Sequence, residues 1–133
     1  MAAALQATLD RRASEVRLVD GLRNRLADGL LGSVPGAVET GDRAFKVAGN
    51  CHIRFEGIES EALLFLLDDS GVCAAAGSAC ASGAMEPSHV LTAMGLHRPE
   101  GAVRFSLGHT STTAEVDIAL KAVPEAVARL REA

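Results

Sequence analysis

Cys51-His52-Ile53-Arg54-Phe55 alternates apolar and polar residues, so as a strand it puts Cys51, Ile53 and Phe55 on one face and His52 and Arg54 on the other. Val103-Arg104-Phe105-Ser106-Leu107 repeats the pattern. Two half-buried strands predict a sheet covered by helices on one face, with its second face open to solvent or to another domain. The fold class this favours is α+β in two layers: a small, mostly antiparallel sheet with helices packed on one face.

The flanking sequence supplies those helices. Residues 2 to 31 read as one long helix, because Leu5, Leu9, Val16, Val19, Leu22, Leu26 and Leu30 recur at spacings of three, four and seven. Its place is expected along the edge of the sheet. Gly29 and Gly32, followed by Pro35, end it before a short strand at Ala37-Val38-Glu39 and a turn at Gly41-Asp42. Ser60 to Asp69 reads as a thoroughly buried helix with Ser60 as N-cap and Leu63, Leu64, Phe65, Leu66 and Leu67 along it. Val72 and Cys73 are expected to begin a strand. A short helix is expected from Pro87 to Met94, closed by Gly95. Thr112-Thr113-Ala114-Glu115 is a capping box opening a further helix, which Pro124 is expected to break or kink before Glu125 to Arg131 resumes. No internal repeat or long linker divides residues 1–133, which read as a single domain.

A chain of 133 residues can bury about two thirds of the surface its unfolded form exposes, enough for a real core. With four Phe, no Trp and no Tyr, that core is aliphatic. The formal net charge of −4 gives no electrostatic reason to bind nucleic acid or anionic lipid. The opening Met1-Ala2-Ala3-Ala4-Leu5-Gln6 lacks the pattern of a signal peptide and no apolar run spans a bilayer, so the expected location is the cytoplasm. Three cysteines without paired spacing argue against a disulfide framework. Zinc is disfavoured, because Cys51, Cys73, Cys80 and the histidines at 52, 89, 97 and 109 form no Cys-x-x-Cys or His-x-x-x-His pair.

From Cys73 to Ala84 every one of twelve residues is Ala, Gly, Ser or Cys, with Cys80 near the middle. Small side chains bury little apolar area, and Gly77 and Gly83 restrain the backbone weakly, so Cys80 is placed to ride on a mobile arm. The competing reading is a small cysteine packed in an alanine-rich segment. Arg104, on the polar face of its strand, has the chemistry to grip a carboxylate with two parallel hydrogen bonds, or is simply a solvated surface arginine. His89 is nine residues from Cys80, a spacing that enforces no contact, and reads as a helix-surface residue. His109 and Asn50 receive no role.

Gly77-Ser78-Ala79-Cys80-Ala81-Ser82-Gly83-Ala84-Met85-Glu86-Pro87-Ser88-His89-Val90-Leu91, together with Arg104-Phe105-Ser106-Leu107-Gly108, resembles the signature of cysteine desulfurases, pyridoxal-phosphate enzymes of the class V aminotransferase type. The resemblance covers nearly the whole chain but only the last third of a complete family member. It implies the C-terminal small domain of a fold-type I transferase, without the large cofactor-binding domain. It also implies that Cys80 takes the sulfur of L-cysteine as a persulfide with release of L-alanine, and that Arg104 holds the substrate's α-carboxylate. Cys73 and Cys51 match no such position and read as packing residues.

The resemblance implies pyridoxal phosphate in the complete enzyme. Neither lysine of this chain, Lys46 or Lys121, lies in the family's Ser-x-His-Lys-x-x-Gly-Pro context, so the isolated chain is expected not to bind the cofactor productively. L-cysteine is therefore a substrate only when a large domain is supplied. A sulfur acceptor such as an iron-sulfur scaffold, and a second copy in a homo-oligomer, are the implied protein partners. The alternative function is a non-catalytic persulfide carrier or adaptor that keeps Cys80 as a relay.

Overall fold

The computed structural model describes residues 2–76, 88–96 and 101–132. Its elements follow in the order α1 (Ala2–Ser33), β1 (Ala37–Glu39), a 3-10 turn (Arg43–Phe45), β2 (Asn50–Phe55), α2 (Ser60–Asp69), α3 (His89–Ala93), β3 (Val103–Ser106) and α4 (Thr113–Glu132). The strands form one antiparallel sheet in the order β1-β2-β3, with Ala37 opposite Phe55, and Asn50, Cys51, His52 and Ile53 opposite Ser106, Phe105, Arg104 and Val103. The domain is α+β, as the two alternating strands predict.

The alternation also sets where the core lies. Cys51, Ile53, Phe55, Val103 and Phe105 point to one face and are buried with Leu26, Ala27 and Leu30 of α1, Leu63 and Leu67 of α2, and Val116, Val123 and Val127 of α4. Burial of these apolar side chains supplies most of the driving force for folding. Accordingly α1 lies on the helical face, over β1 and β2 and beside α4, rather than along the sheet edge.

α1 ends at Ser33, just before Pro35 and two residues beyond the expected span of 2–31, with Gly29 inside it. Gly29 sits inside the helix because a Cβ there would meet the Leu120 side chain of α4 at 2.4 Å, so glycine lets the two helices approach. Only the second half of α1 is covered; Leu5, Leu9 and Val16 of the expected apolar stripe are exposed, since a 32-residue helix of about 48 Å outruns so small a sheet.

Four further expectations are corrected. α2 is amphipathic rather than thoroughly buried: Leu63 and Leu67 are core residues, whereas Phe65 is 75% exposed. Its N-cap is Glu59, with no side-chain cap bond, and Ser60 is the first helical residue. Val72 and Cys73 begin no strand; the segment makes only an isolated antiparallel bridge between Ala75 and Arg104. Pro124 leaves α4 unbroken, because Val123, Ala126 and Val127 on either side of it are held in the core, and that packing outweighs the one lost helical hydrogen bond. The capping box forms as expected: Glu115 accepts from the Thr112 amide at 2.7 Å, and Thr112 Oγ1 accepts from the Glu115 amide at 3.3 Å. α3 lies within the helix expected from Pro87 to Met94, whose start at Pro87 is outside the described residues, and Gly95 beyond it adopts a φ of +82°.

Candidate functional site

The side chains that leave the core face of β2 and β3 gather on the other face. Asn50, His52 and Arg54 from β2 alternate with its buried residues, and Arg104 and Ser106 from β3 do the same. Register then pairs them: His52 stands opposite Arg104, and Asn50 opposite Ser106. Cross-strand partners on one face bring their Cβ atoms to within about 5 Å, so His52 flanks Arg104 directly, with the Asn50–Ser106 pair at the next position of the same face.

Arg104 is also held at its outer edge. Its amide donates to the Ala75 carbonyl at 2.8 Å, and the Ala75 amide donates back to the Arg104 carbonyl at 3.0 Å. The backbone leading to Ala76 is therefore fixed against the arginine strand. Cys80 lies outside the described residues, as does His97. His89 on α3 and His109 after β3 are exposed, consistent with surface positions.

A shallow depression of about 350 Å³ opens beside Arg104, lined by Val47, Gly49, Asn50, Arg104, Ser106 and Leu107. Gly49 forms its floor, where the Leu107 amide donates to the Gly49 carbonyl at 2.9 Å and a Cβ on residue 49 would stand 2.0 Å from the Leu107 carbonyl oxygen. A second hollow of about 240 Å³ lies on the helical side, among Leu26, Cys73, Phe105 and Val116. Its walls are chiefly apolar, and the groups capable of binding an anion are at the first.

Three polar atoms around Arg104 are buried without a hydrogen-bond partner among the described residues: Arg104 Nε, His52 Nδ1 and Asn50 Oδ1. A buried unsatisfied polar group costs about 1–3 kcal/mol, and three on one small surface concentrate that cost where chemistry can use it. The charge here has one sign. Arg54 donates through Nε to Thr40 Oγ1 at 3.1 Å, and neither it nor Arg104 forms an ion pair among the described residues. Burial pushes the His52 pKa down, and the charges of Lys46, Arg104 and Arg54 push it the same way, so His52 is held neutral amid cations.

The other charged cluster is self-contained. Glu39 accepts from Lys46 Nζ at 2.8 Å and from Arg43 Nε at 2.7 Å, and Arg43 also contacts Asp28 at 2.7 Å. Burial alone would raise the Glu39 pKa; the hydrogen bonds from Lys46 and Arg43 and their charges outweigh it and lower the pKa. Hydrogen bonding to Asp28 and Glu39 raises that of Arg43.

The lysines decide whether this chain suits a cofactor held as a Schiff base. Lys46 is committed to Glu39, with its side chain only 10% exposed, and Lys121 is exposed on α4. Neither is a free amine facing the Arg104 depression, so the residues present do not fit pyridoxal phosphate. Cys51 is no nucleophile either: burial, with the charge of Glu39 adding to it, pushes its pKa up to about 12. Cys73 is exposed.

Strand alternation predicts Arg104, His52 and Ser106 on polar faces; Asn50 precedes the expected strand, and β2 extends to include it. What alternation lacks is the pairing register, which alone shows that they meet, and Gly49 carries no signal beyond being a glycine before a strand.

Comparison with known proteins places this geometry. The family model described as Aminotransferase class-V matches residues 7–119. The chain is 45% identical over 128 residues to a Mycobacterium tuberculosis protein named IscS-like cysteine desulfurase, a match covering 94% of this chain and 32% of that protein. It is 45% identical over 115 residues to the cysteine desulfurase NifS of Azotobacter vinelandii, covering 85% of this chain and 29% of the relative. A solved NifS-like protein superposes with a TM-score of 0.80 at 26% identity, covering 97% of this chain and 32% of that one. The chain thus spans about a third of the length of the curated relatives it matches. The match to the family model extends over most of the sequence, and the chain belongs to the class-V aminotransferase family.

Proposed function

We propose that residues 1–133 correspond to the C-terminal small domain of a cysteine desulfurase and supply two parts of its active site. Arg104 grips the α-carboxylate of L-cysteine, and Cys80 accepts the sulfur. In the overall change L-cysteine and the Cys80 thiol become L-alanine and a Cys80 persulfide, so the sulfur leaves the substrate carbon and a new S–S bond forms on the enzyme. A second domain bearing a cofactor lysine supplies what loosens the carbon–sulfur bond; alone, this chain is inactive. A soluble sulfur acceptor, such as an iron-sulfur scaffold protein, then takes the persulfide sulfur.

The observation that carries the reading is the position of Arg104: a guanidinium with no ion-pair partner among the described residues, on the polar sheet face beside a depression with room for a small amino acid. The covalent chain supports Cys80 as its companion, since Ala75 is bridged to Arg104 and five residues reach at most about 18 Å. Among the described residues no helix is long and apolar enough to cross a membrane, which suits delivery to a soluble acceptor.

The test is reconstitution. Mixed with a family large domain bearing the lysine motif, the chain is expected to restore cofactor absorbance and cysteine-dependent sulfide release, and Cys80→Ser is expected to abolish release. A mixture that stays colourless and inert refutes the enzyme reading. If the chain nonetheless gains one sulfur on Cys80 alone from a persulfide donor, the carrier function replaces it.

A further inference from the structure

Arg104 does not face its depression alone. Asn50 and Ser106 are cross-strand partners at the neighbouring position of the same ladder, on the same face, and both line the depression with it. Ser106 is exposed, so its hydroxyl is available as a donor. Asn50 has its Oδ1 turned inward, buried and without a partner among the described residues, which leaves the amide nitrogen as the end able to meet a ligand. The donor groups lining the depression are therefore a guanidinium, a hydroxyl and an amide N–H.

We infer that Asn50 and Ser106 are further substrate-binding residues, completing with Arg104 a three-donor site for the carboxylate of a small, uncharged-side-chain α-amino acid. Charge selects an anion, because Arg104, Arg54 and Lys46 lie around His52 and, among the described residues of β2 and β3, no carboxylate shares the face with Asn50, His52, Arg54, Arg104 and Ser106. Shape selects an amino acid over a bare inorganic anion, because Val47 and Leu107 give the same depression apolar walls suited to a methyl or thiomethyl group. A Cβ at residue 49 would collide with the Leu107 carbonyl, so glycine lets the backbone of residue 49 lie close against that of Leu107 at the edge of the depression. The inference rests on the carboxylate role proposed above for Arg104 and extends it to residues that the motif resemblance leaves without a role.

L-alanine is the probe, since it carries the carboxylate and has no thiol to react. In a ¹⁵N-labelled sample of the full chain, L-alanine is expected to shift the amides around Asn50, Arg104 and Ser106, while L-alaninamide, which lacks the carboxylate, is expected to leave them in place. Arg104→Gln is expected to abolish the shifts. Ser106→Ala and Asn50→Leu are each expected to weaken binding about tenfold, the loss of one hydrogen bond to a charged group. Because Asn50→Leu alters a half-buried position, its spectrum must first match the native one; Ser106→Ala, at an exposed position, decides the matter if it does not. Native-like titration of Ser106→Ala, with binding lost in Arg104→Gln, overturns the inference and leaves the Arg104 role standing. Native-like titration of Arg104→Gln overturns that role too. No carboxylate-dependent shift in the native chain also overturns the inference, while reconstitution judges the proposed function separately.

Discussion

His52 and Arg104 are direct cross-strand partners on the sheet face that α1, α2 and α4 leave uncovered. Neither His52 Nδ1 nor Arg104 Nε has a partner among the described residues, so the imidazole sits against a guanidinium it cannot neutralise. Burial and three neighbouring cations, Lys46, Arg104 and Arg54, all favour its neutral form.

That relationship has a pH consequence. A histidine whose folded pKa lies below its unfolded value of about 6.5 contributes stability that is fully present above that value. The contribution is lost as pH falls through the folded pKa, because the unfolded state then binds the extra proton. Urea denaturation is expected to show stability falling from pH 7 toward pH 5, with a shallower fall in His52→Gln. In Arg104→Gln, the NMR titration midpoint of His52 is expected to move upward; a downward or absent shift contradicts the proposed proximity.

The buried and exposed cysteines should differ sharply in reactivity. Cys51, with its pKa pushed up to about 12, holds almost no thiolate at pH 8, whereas Cys73 is exposed. In a Cys80→Ser variant, iodoacetamide at pH 8 is expected to alkylate Cys73 and to spare Cys51 until the chain is unfolded. Mass spectrometry of the two peptides reads the result.

Gly49 tests the close approach beneath the depression. A methyl group there must displace the Leu107 carbonyl, which is backbone and cannot rotate away, so Gly49→Ala is expected to cost about 1–3 kcal/mol in urea. An unchanged midpoint argues against the tight contact between residues 49 and 107.

The capping box at α4 offers a local test. Thr112→Ala removes the Oγ1 acceptor from the Glu115 amide and is expected to cost about 1 kcal/mol, while Thr112→Asn retains most of that stability. Thermal or urea midpoints of the two variants distinguish a cap from a simple packing loss.

Much of this protein is legible along the chain because its signals are local. The alternation at 51–55 and 103–107 determines which side chains face the core, the leucine spacing of α1 marks the helix, and Thr112 with Glu115 marks where α4 begins. Each depends on contacts within a few residues. Where the sequence misleads, a distant partner overrides local preference: core packing of Val123 and Val127 carries α4 past Pro124. Phe65 reads as core by hydrophobicity alone, yet α2 turns it to solvent, while Leu63 and Leu67 are buried in the core and Leu64 and Leu66 pack at its margin.

Strand alternation alone assigns Arg104 to a polar face, whereas its surroundings follow from the assembled fold. Register between β2 and β3, separated by nearly fifty residues, sets His52 opposite Arg104 and Asn50 opposite Ser106, and the bridge from Ala75 fixes the outer edge. A period of two assigns faces, but it carries no information about which residue of one strand lies across from which residue of another. That choice belongs to the burial of the opposite face, where Cys51, Ile53, Val103 and Phe105 must interlock with three helices at once.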